Sequence, residues 1–134
     1  MTTLATSGIV QSYQTETQRE KEDQLLFVGE RYMQAIASYY NSFPAGSKRR
    51  LPRSLEELLN DERFATPAHH LRRLYPDPMT GRADWQLVLA DGGIVGVHSQ
   101  SAAEPLKKSG FAVRFKLFEN SATYAQWVFA IKLQ

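Results

Sequence analysis

Cysteine is absent from the 134 residues, which removes disulfides, a thiolate nucleophile and any cysteine-based zinc site from consideration. Long apolar runs are missing too. The longest covers five residues, 127–131, far short of the roughly 20 a bilayer-spanning helix needs. The front of the chain has no basic start followed by an apolar stretch. No internal repeat or low-complexity tract is visible, and no proline occurs before Pro44. Charge of one sign is scarce: sixteen basic against fourteen acidic side chains leave +2, so the pI of about 9.0 overstates the excess. That small surplus sits in the middle. Residues 1–47 hold three basic and five acidic side chains, residues 48–116 twelve and eight, residues 117–134 one of each. Nucleic-acid-binding domains carry more than this, so a nucleic acid is not the expected partner.

What is present is ordinary globular usage, 43% hydrophobic and 22% charged residues, in a chain long enough for one core. The first fifteen residues carry no charge; then Glu16, Arg19, Glu20, Lys21, Glu22 and Asp23 arrive together. From Leu25 the pattern is helical. Leu25, Val28, Tyr32, Ile36, Tyr39 and Phe43 recur at spacings of three and four and define one apolar stripe, widened by Leu26, Met33, Ala35 and Tyr40. The polar stretch 14–24 has no such stripe. It is helical only if it projects into solvent or is covered by another molecule, and a frayed terminus is the plainer expectation. The helix is expected to stop near Pro44 and Gly46.

A basic loop follows, and then Ser54-Leu55-Glu56-Glu57. Here Ser54 and Glu57 predict a reciprocal capping box, with Leu55, Leu58 and Leu59 on the buried side. Thr66-Pro67 predicts a further helical turn carrying Leu71 and Leu74. After Tyr75 the character turns to strand. Trp85, Leu87 and Leu89 alternate with Gln86, Val88 and Ala90; Asp91-Gly92-Gly93 reads as a hairpin; residues 94–99 return, with Gly96 marking a bulge or a close backbone approach. In the connection 100–122, Phe111, Phe115 and Phe118 are spaced to tuck in as a lid. In the last run Trp127, Phe129, Ile131 and Leu133 face one way. The expected fold class is α+β, a long N-terminal helix across a small antiparallel sheet of about three strands, with short helices between.

Candidate chemistry is thin. His69 and His70 are neighbours, about 100° apart on a helix, and no further ligands stand at metal-binding spacing. His98 beside Ser99 and Ser101 lacks a nucleophile elbow and a third group. Glu56, Glu57, Asp61 and Glu62 have an ordinary explanation at a helix start. Asp77, Asp84 and Asp91 invite a calcium test; without a tight-loop signature they read as turn residues and no cofactor is expected, with a calcium site assembled in space as the alternative. Gly92, Gly93 and Gly96 are not followed by a helix, so they do not cradle a phosphate. Tyr39, Tyr40, Trp85 and Trp127 sit at core periodicities more than as a base-stacking platform. The candidate basic surface is Lys48, Arg49, Arg50, Arg53, Arg72 and Arg73.

The order of these features carries a resemblance. Leu25-Leu26-Phe27-Val28-Gly29-Glu30-Arg31-Tyr32, Ala35-Ile36-Ala37-Ser38-Tyr39-Tyr40, Leu51-Pro52-Arg53-Ser54-Leu55-Glu56-Glu57-Leu58-Leu59, Leu74-Tyr75-Pro76-Asp77-Pro78-Met79-Thr80-Gly81, Gly92-Gly93-Ile94-Val95-Gly96-Val97-His98-Ser99 and Tyr124 with Trp127-Val128-Phe129 together resemble the type IV pilin-like family, most closely the major pseudopilins of type II secretion systems. The proline followed by a Ser-Leu-x-x-Leu-Leu helix and the Asp-Pro-x-x-Gly turn before an aromatic strand look like the major pseudopilin pattern, and the specificity lies in the ordered set and not in either alone. The resemblance implies a pilin-like fold and a non-enzymatic structural subunit of the secretion pseudopilus. It implies residues 1–24 as the remnant of a membrane and filament helix with Met1 introduced, and residues 25–134 as the head. It further implies a periplasmic domain of an inner-membrane-anchored bacterial protein, itself soluble without the anchor. The implied partners are other pseudopilin subunits and the inner-membrane assembly platform, in a homo-oligomeric filament, with no small-molecule substrate. Glu16, Arg19, Glu20 and Lys21 would then pair between subunits, in a half-helix covered by neighbours and not by its own domain. Two departures stand out. The family's Gly-Phe cleavage site is missing, and no calcium-binding aspartate loop is recognisable near residues 99–122, which offer Ser99, Ser101 and Glu104. The alternative within the family is a minor, DNA-uptake or adhesion pilin that grips polyanions through the basic loop.

Overall fold

Without proline or a paired glycine to interrupt it, the first third of the chain forms one helix, α1, over Thr2–Asn41. The computed structural model describes the backbone of residues 2–133 and the side chains of residues 11–133; the side chains of the uncharged stretch before Gln11, and Met1 with them, lie outside the described residues. No helix in the described residues is long and apolar enough to cross a membrane. The predicted stripe is the buried one: Leu25, Val28, Tyr32, Ile36 and Tyr39 are almost fully enclosed, with Ala35 beside them. Phe43 is the exception, 37% exposed, because the helix ends before it.

Against this stripe lies a three-stranded antiparallel sheet in the order β1 (Gln86–Ala90), β2 (Gly93–His98), β3 (Phe129–Ala130). The β1–β2 hairpin closes through Asp91 and Gly92, both at positive φ, the two-residue turn that matches strand twist. Val88 pairs with Gly96 but Leu89 with Ile94, so Val95 is the extra residue of a bulge. Gly96 is also the close approach: a Cβ there would overlap the Phe129 carbonyl and Ala130 of β3. Gly29 plays the same part on α1, where a Cβ would enter the Phe129 ring. Two glycines thus let helix, central strand and edge strand close on one phenylalanine. The sheet's other face is open, leaving Leu89 69% exposed.

The connection after β2 folds its phenylalanines inward as expected. A 3-10 segment over Val113–Phe118, broken at Phe115, stacks Phe118 on Trp127 at 5.6 Å with rings 3° from parallel. Phe111 and Phe129 meet this pair edge-on. A second 3-10 turn, Tyr124–Gln126, carries the chain into β3. The architecture is therefore the expected α+β one, a long N-terminal helix on a small antiparallel sheet with short helices between.

Two local expectations fail. The helix α2 is only Glu56–Leu59, and no side chain caps it. Glu57 is drawn instead to a triple role: its Oε2 accepts from the Arg53 amide at 3.0 Å, from the Tyr39 hydroxyl at 2.8 Å and from Arg50 at 3.3 Å. The carboxylate does reach back to a backbone amide, but to that of Arg53 and not of Ser54, and it shares that bond with two side-chain donors. The turn of helix after Thr66-Pro67 is absent too. The chain there runs extended, closed by the mutual backbone bonds of Asp61 and Ala68.

Candidate functional site

Two polar assemblies fasten α1, one at each end of its described face. At the front, the apolar stripe does not stop at Leu25. Its spacing continues backwards to Glu22 and Gln18. Glu22 is 3% exposed, and its Oε2 accepts from the Leu106 amide at 2.6 Å, the Lys107 amide at 3.2 Å and the Tyr124 hydroxyl at 2.8 Å. Gln18 adds bonds from its Nε2 to the same Tyr124 oxygen at 2.8 Å and to the Glu104 carbonyl at 3.1 Å. Burial in this setting pushes the Tyr124 hydroxyl up to about 12, so it stays a donor. This corrects the expectation that neighbours alone cover the polar half-helix: residues 18–22 are covered on one side by the chain's own C-terminal segment. The proposed subunit-contact residues lie around that seam. Glu16, Arg19, Glu20 and Lys21 are all exposed, and none has an ion-pair partner among the described residues.

At the rear, the last carbonyls of α1 need donors. Arg63 supplies them. Its Nη2 donates to the Tyr39 and Ser42 carbonyls, each at 2.9 Å, and the guanidinium lies 3.6 Å over the Tyr39 ring. A cation at a helix C-terminus also suits the macrodipole. Asp61, 1% exposed, holds this arginine through Nε at 2.8 Å, Nη2 at 2.7 Å and the backbone amide at 3.1 Å. Its remaining bond goes to His70 Nε2 at 2.8 Å. Burial alone would raise the Asp61 carboxyl, but the Arg63 and His70 bonds outweigh it and hold the group well below the usual carboxylate range.

His70 Nδ1 lies 2.7 Å from the Ser38 hydroxyl, which completes a serine–histidine–aspartate series. With Asp61 only able to accept, His70 Nε2 carries a proton, and in the neutral ring Nδ1 accepts from Ser38. The series is not built for acyl transfer. Ser38 lies within α1, where the neighbouring amides are spent on helix bonds and leave no oxyanion pair. Asp61 is already committed to Arg63. The expected pair of histidines splits accordingly: His69 Nδ1 turns to the Leu59 carbonyl at 2.7 Å. His98 Nδ1 meets the Ser99 carbonyl at 2.8 Å.

The three aspartates of the calcium test are separate turn residues. Asp77 is buried, accepting from the Ser99 hydroxyl at 2.6 Å and the Met79 amide at 2.9 Å. Asp84 accepts from Thr80 at 2.6 Å, and Asp91 forms the hairpin turn. Among the described residues no group of three or more His, Asp or Glu side chains is placed to hold a metal.

Of the six candidate basic residues, five are exposed and Arg50 is half-buried. Lys48, Arg49 and Arg53 are exposed on the loop after α1. There Arg49 lies over the Tyr40 and Phe43 rings at 5.2 and 5.5 Å, and Arg50 is tied to Glu57. Arg73 covers Tyr75 at 4.7 Å. Arg72 instead lines a groove against α1 with Arg31. The Glu22 and Asp61 assemblies escaped the sequence reading, yet one signal existed for the first: Gln18, Glu22, Leu25, Gly29, Tyr32, Ile36 and Tyr39 follow a strict four-three alternation. Comparison of the chain with family models, curated proteins and solved structures gave no significant match.

Proposed function

We propose that this chain is the head and adjoining helix of a type II secretion pseudopilin, a non-catalytic subunit that assembles with its own kind and with related subunits on an inner-membrane platform and acts in the periplasm. The observation that carries the reading is the form of α1. Its rear half is the spine of the domain, while its front half runs ahead of the sheet with Glu16, Arg19, Glu20 and Lys21 exposed and without ion pairs among the described residues. A charged helical face beside a domain that leaves it uncovered suits lateral packing against equivalent helices, where opposite charges set register. The motif order quoted above supports the same reading.

Deletion of the gene in the cell of origin is expected to abolish protein export across the outer membrane, with the wild-type gene restoring it. Reversing Arg19 and Lys21 to glutamate together leaves four like charges at positions 16, 19, 20 and 21, and is expected to prevent rescue while the purified variant keeps its fold. Undiminished export after deletion would refute the assignment.

A further inference from the structure

A groove of about 580 Å³ runs between α1 and the segment that follows the Asp61 bridge. One wall is Phe27, Arg31, Gln34 and Ser38, a single stripe of α1 at spacings of four, three and four. Eleven residues at 1.5 Å each make that wall about 16 Å long. The opposite wall carries His69, Leu71, Arg72 and Tyr75. Arg31 stands on one side and Arg72 on the other; both are exposed, and neither has an ion-pair partner among the described residues. No acidic side chain lines the groove. Asp61, bonded to the groove residue His70, is buried and spent on Arg63.

We propose that this groove binds a short extended peptide segment bearing carboxylates alternating with apolar side chains. A strand advances about 3.3 Å per residue, so the α1 wall matches roughly five residues. Two opposed guanidiniums offer planar forks for carboxylates. Phe27 and Tyr75 supply apolar faces. Arg31 leans over Phe27 at 4.9 Å and Arg73 over Tyr75 at 4.7 Å, so each ring carries a cation on its own side. Between them Gln34 and the Ser38 hydroxyl, bonded to His70 Nδ1, present polar groups to a peptide backbone. A nucleic acid fits less well, since its evenly spaced phosphates would meet two cations and otherwise apolar or neutral lining. The site does not depend on filament assembly and is open on the single chain.

The test is fluorescence anisotropy with a labelled five-residue peptide of alternating glutamate and leucine on the full chain. Saturable binding is expected, weakened roughly tenfold when glutamine replaces glutamate in the peptide and roughly tenfold by Arg31→Ala or Arg72→Ala. Arg49→Ala, equally exposed but outside the groove, leaves it unchanged. Circular dichroism checks each fold, and Gln34→Ala supplies a neutral variant expected to weaken binding by a smaller factor. Absence of saturable binding, indifference to both arginine substitutions, or equal competition by inorganic phosphate or a DNA oligonucleotide would each overturn the peptide site.

Discussion

The two halves of α1 are held by different forces although they share one spacing. From Leu25 to Tyr39 the inward face is apolar and packs on β2, β3 and the aromatic lid. From Gln18 to Glu22 the inward face is polar and is stitched to backbone amides and one tyrosine. Apolar packing tolerates small shifts, because burial is worth roughly 25 cal/mol per Å² whatever the direction. The carboxylate stitch does not, because each bond needs its own donor in place. The rear half therefore carries stability, while the front half carries orientation: Glu22 fixes where the exposed charges beside it point.

Substitutions can break or sharpen this contrast. The largest loss is expected in the apolar core, where Trp127→Ala removes a fully buried indole stacked on Phe118 and costs about 4 kcal/mol in denaturant unfolding. Next is Asp61→Asn, about 3 kcal/mol, since it leaves the half-buried Arg63 with its charge unanswered. Its pH signature is distinct. The folded Asp61 carboxyl is depressed and the unfolded one titrates near 4, so the unfolded state binds the extra proton. The wild type's advantage is full above about pH 4 and lost as the pH falls toward the folded value. Glu57, depressed because the Arg53, Tyr39 and Arg50 contacts outweigh its burial, adds in the same direction. Acid unfolding curves of Asp61→Asn should be flatter than wild type; equal slopes would contradict the assignment. At the front, Glu22→Ala is expected to cost about 2 kcal/mol, and its effect should be sub-additive with Tyr124→Phe, because both remove the same bond. Full additivity in a double-mutant cycle would separate them. Lys48→Ala should stay within about 0.5 kcal/mol of wild type.

Much of this was legible in the residues. The apolar stripe, the Asp91-Gly92 hairpin, the bulge near Gly96 and the inward phenylalanines follow from periodicity and turn chemistry, which are local. The misses are competitions for a partner that periodicity and dipeptide signals do not show. Ser54 and Glu57 have the spacing of a cap, but Tyr39, eighteen residues back, and Arg50 claim the same carboxylate. The segment after Thr66 has a helix-start dipeptide, but Asp61 holds Ala68 in a bridge and leaves no room for a turn. The meeting of Ser38, Asp61, Arg63 and His70 depends on the path of the chain around the end of α1, which no local pattern encodes. Glu22 was hidden differently. It lies in register with Leu25, but a glutamate on an apolar stripe reads as its end until Tyr124 and two amides are seen to answer it.

The fastening of the front half-helix is most directly tested by amide hydrogen exchange at Leu106 and Lys107. Among the described residues their only acceptor is the Glu22 carboxylate. In the isolated wild-type chain both amides should be protected, and Glu22→Ala should release them while the amides of β2 stay slow. Exchange of both amides in the wild type at the rate of free backbone would mean that the helix before Leu25 is not held by its own domain.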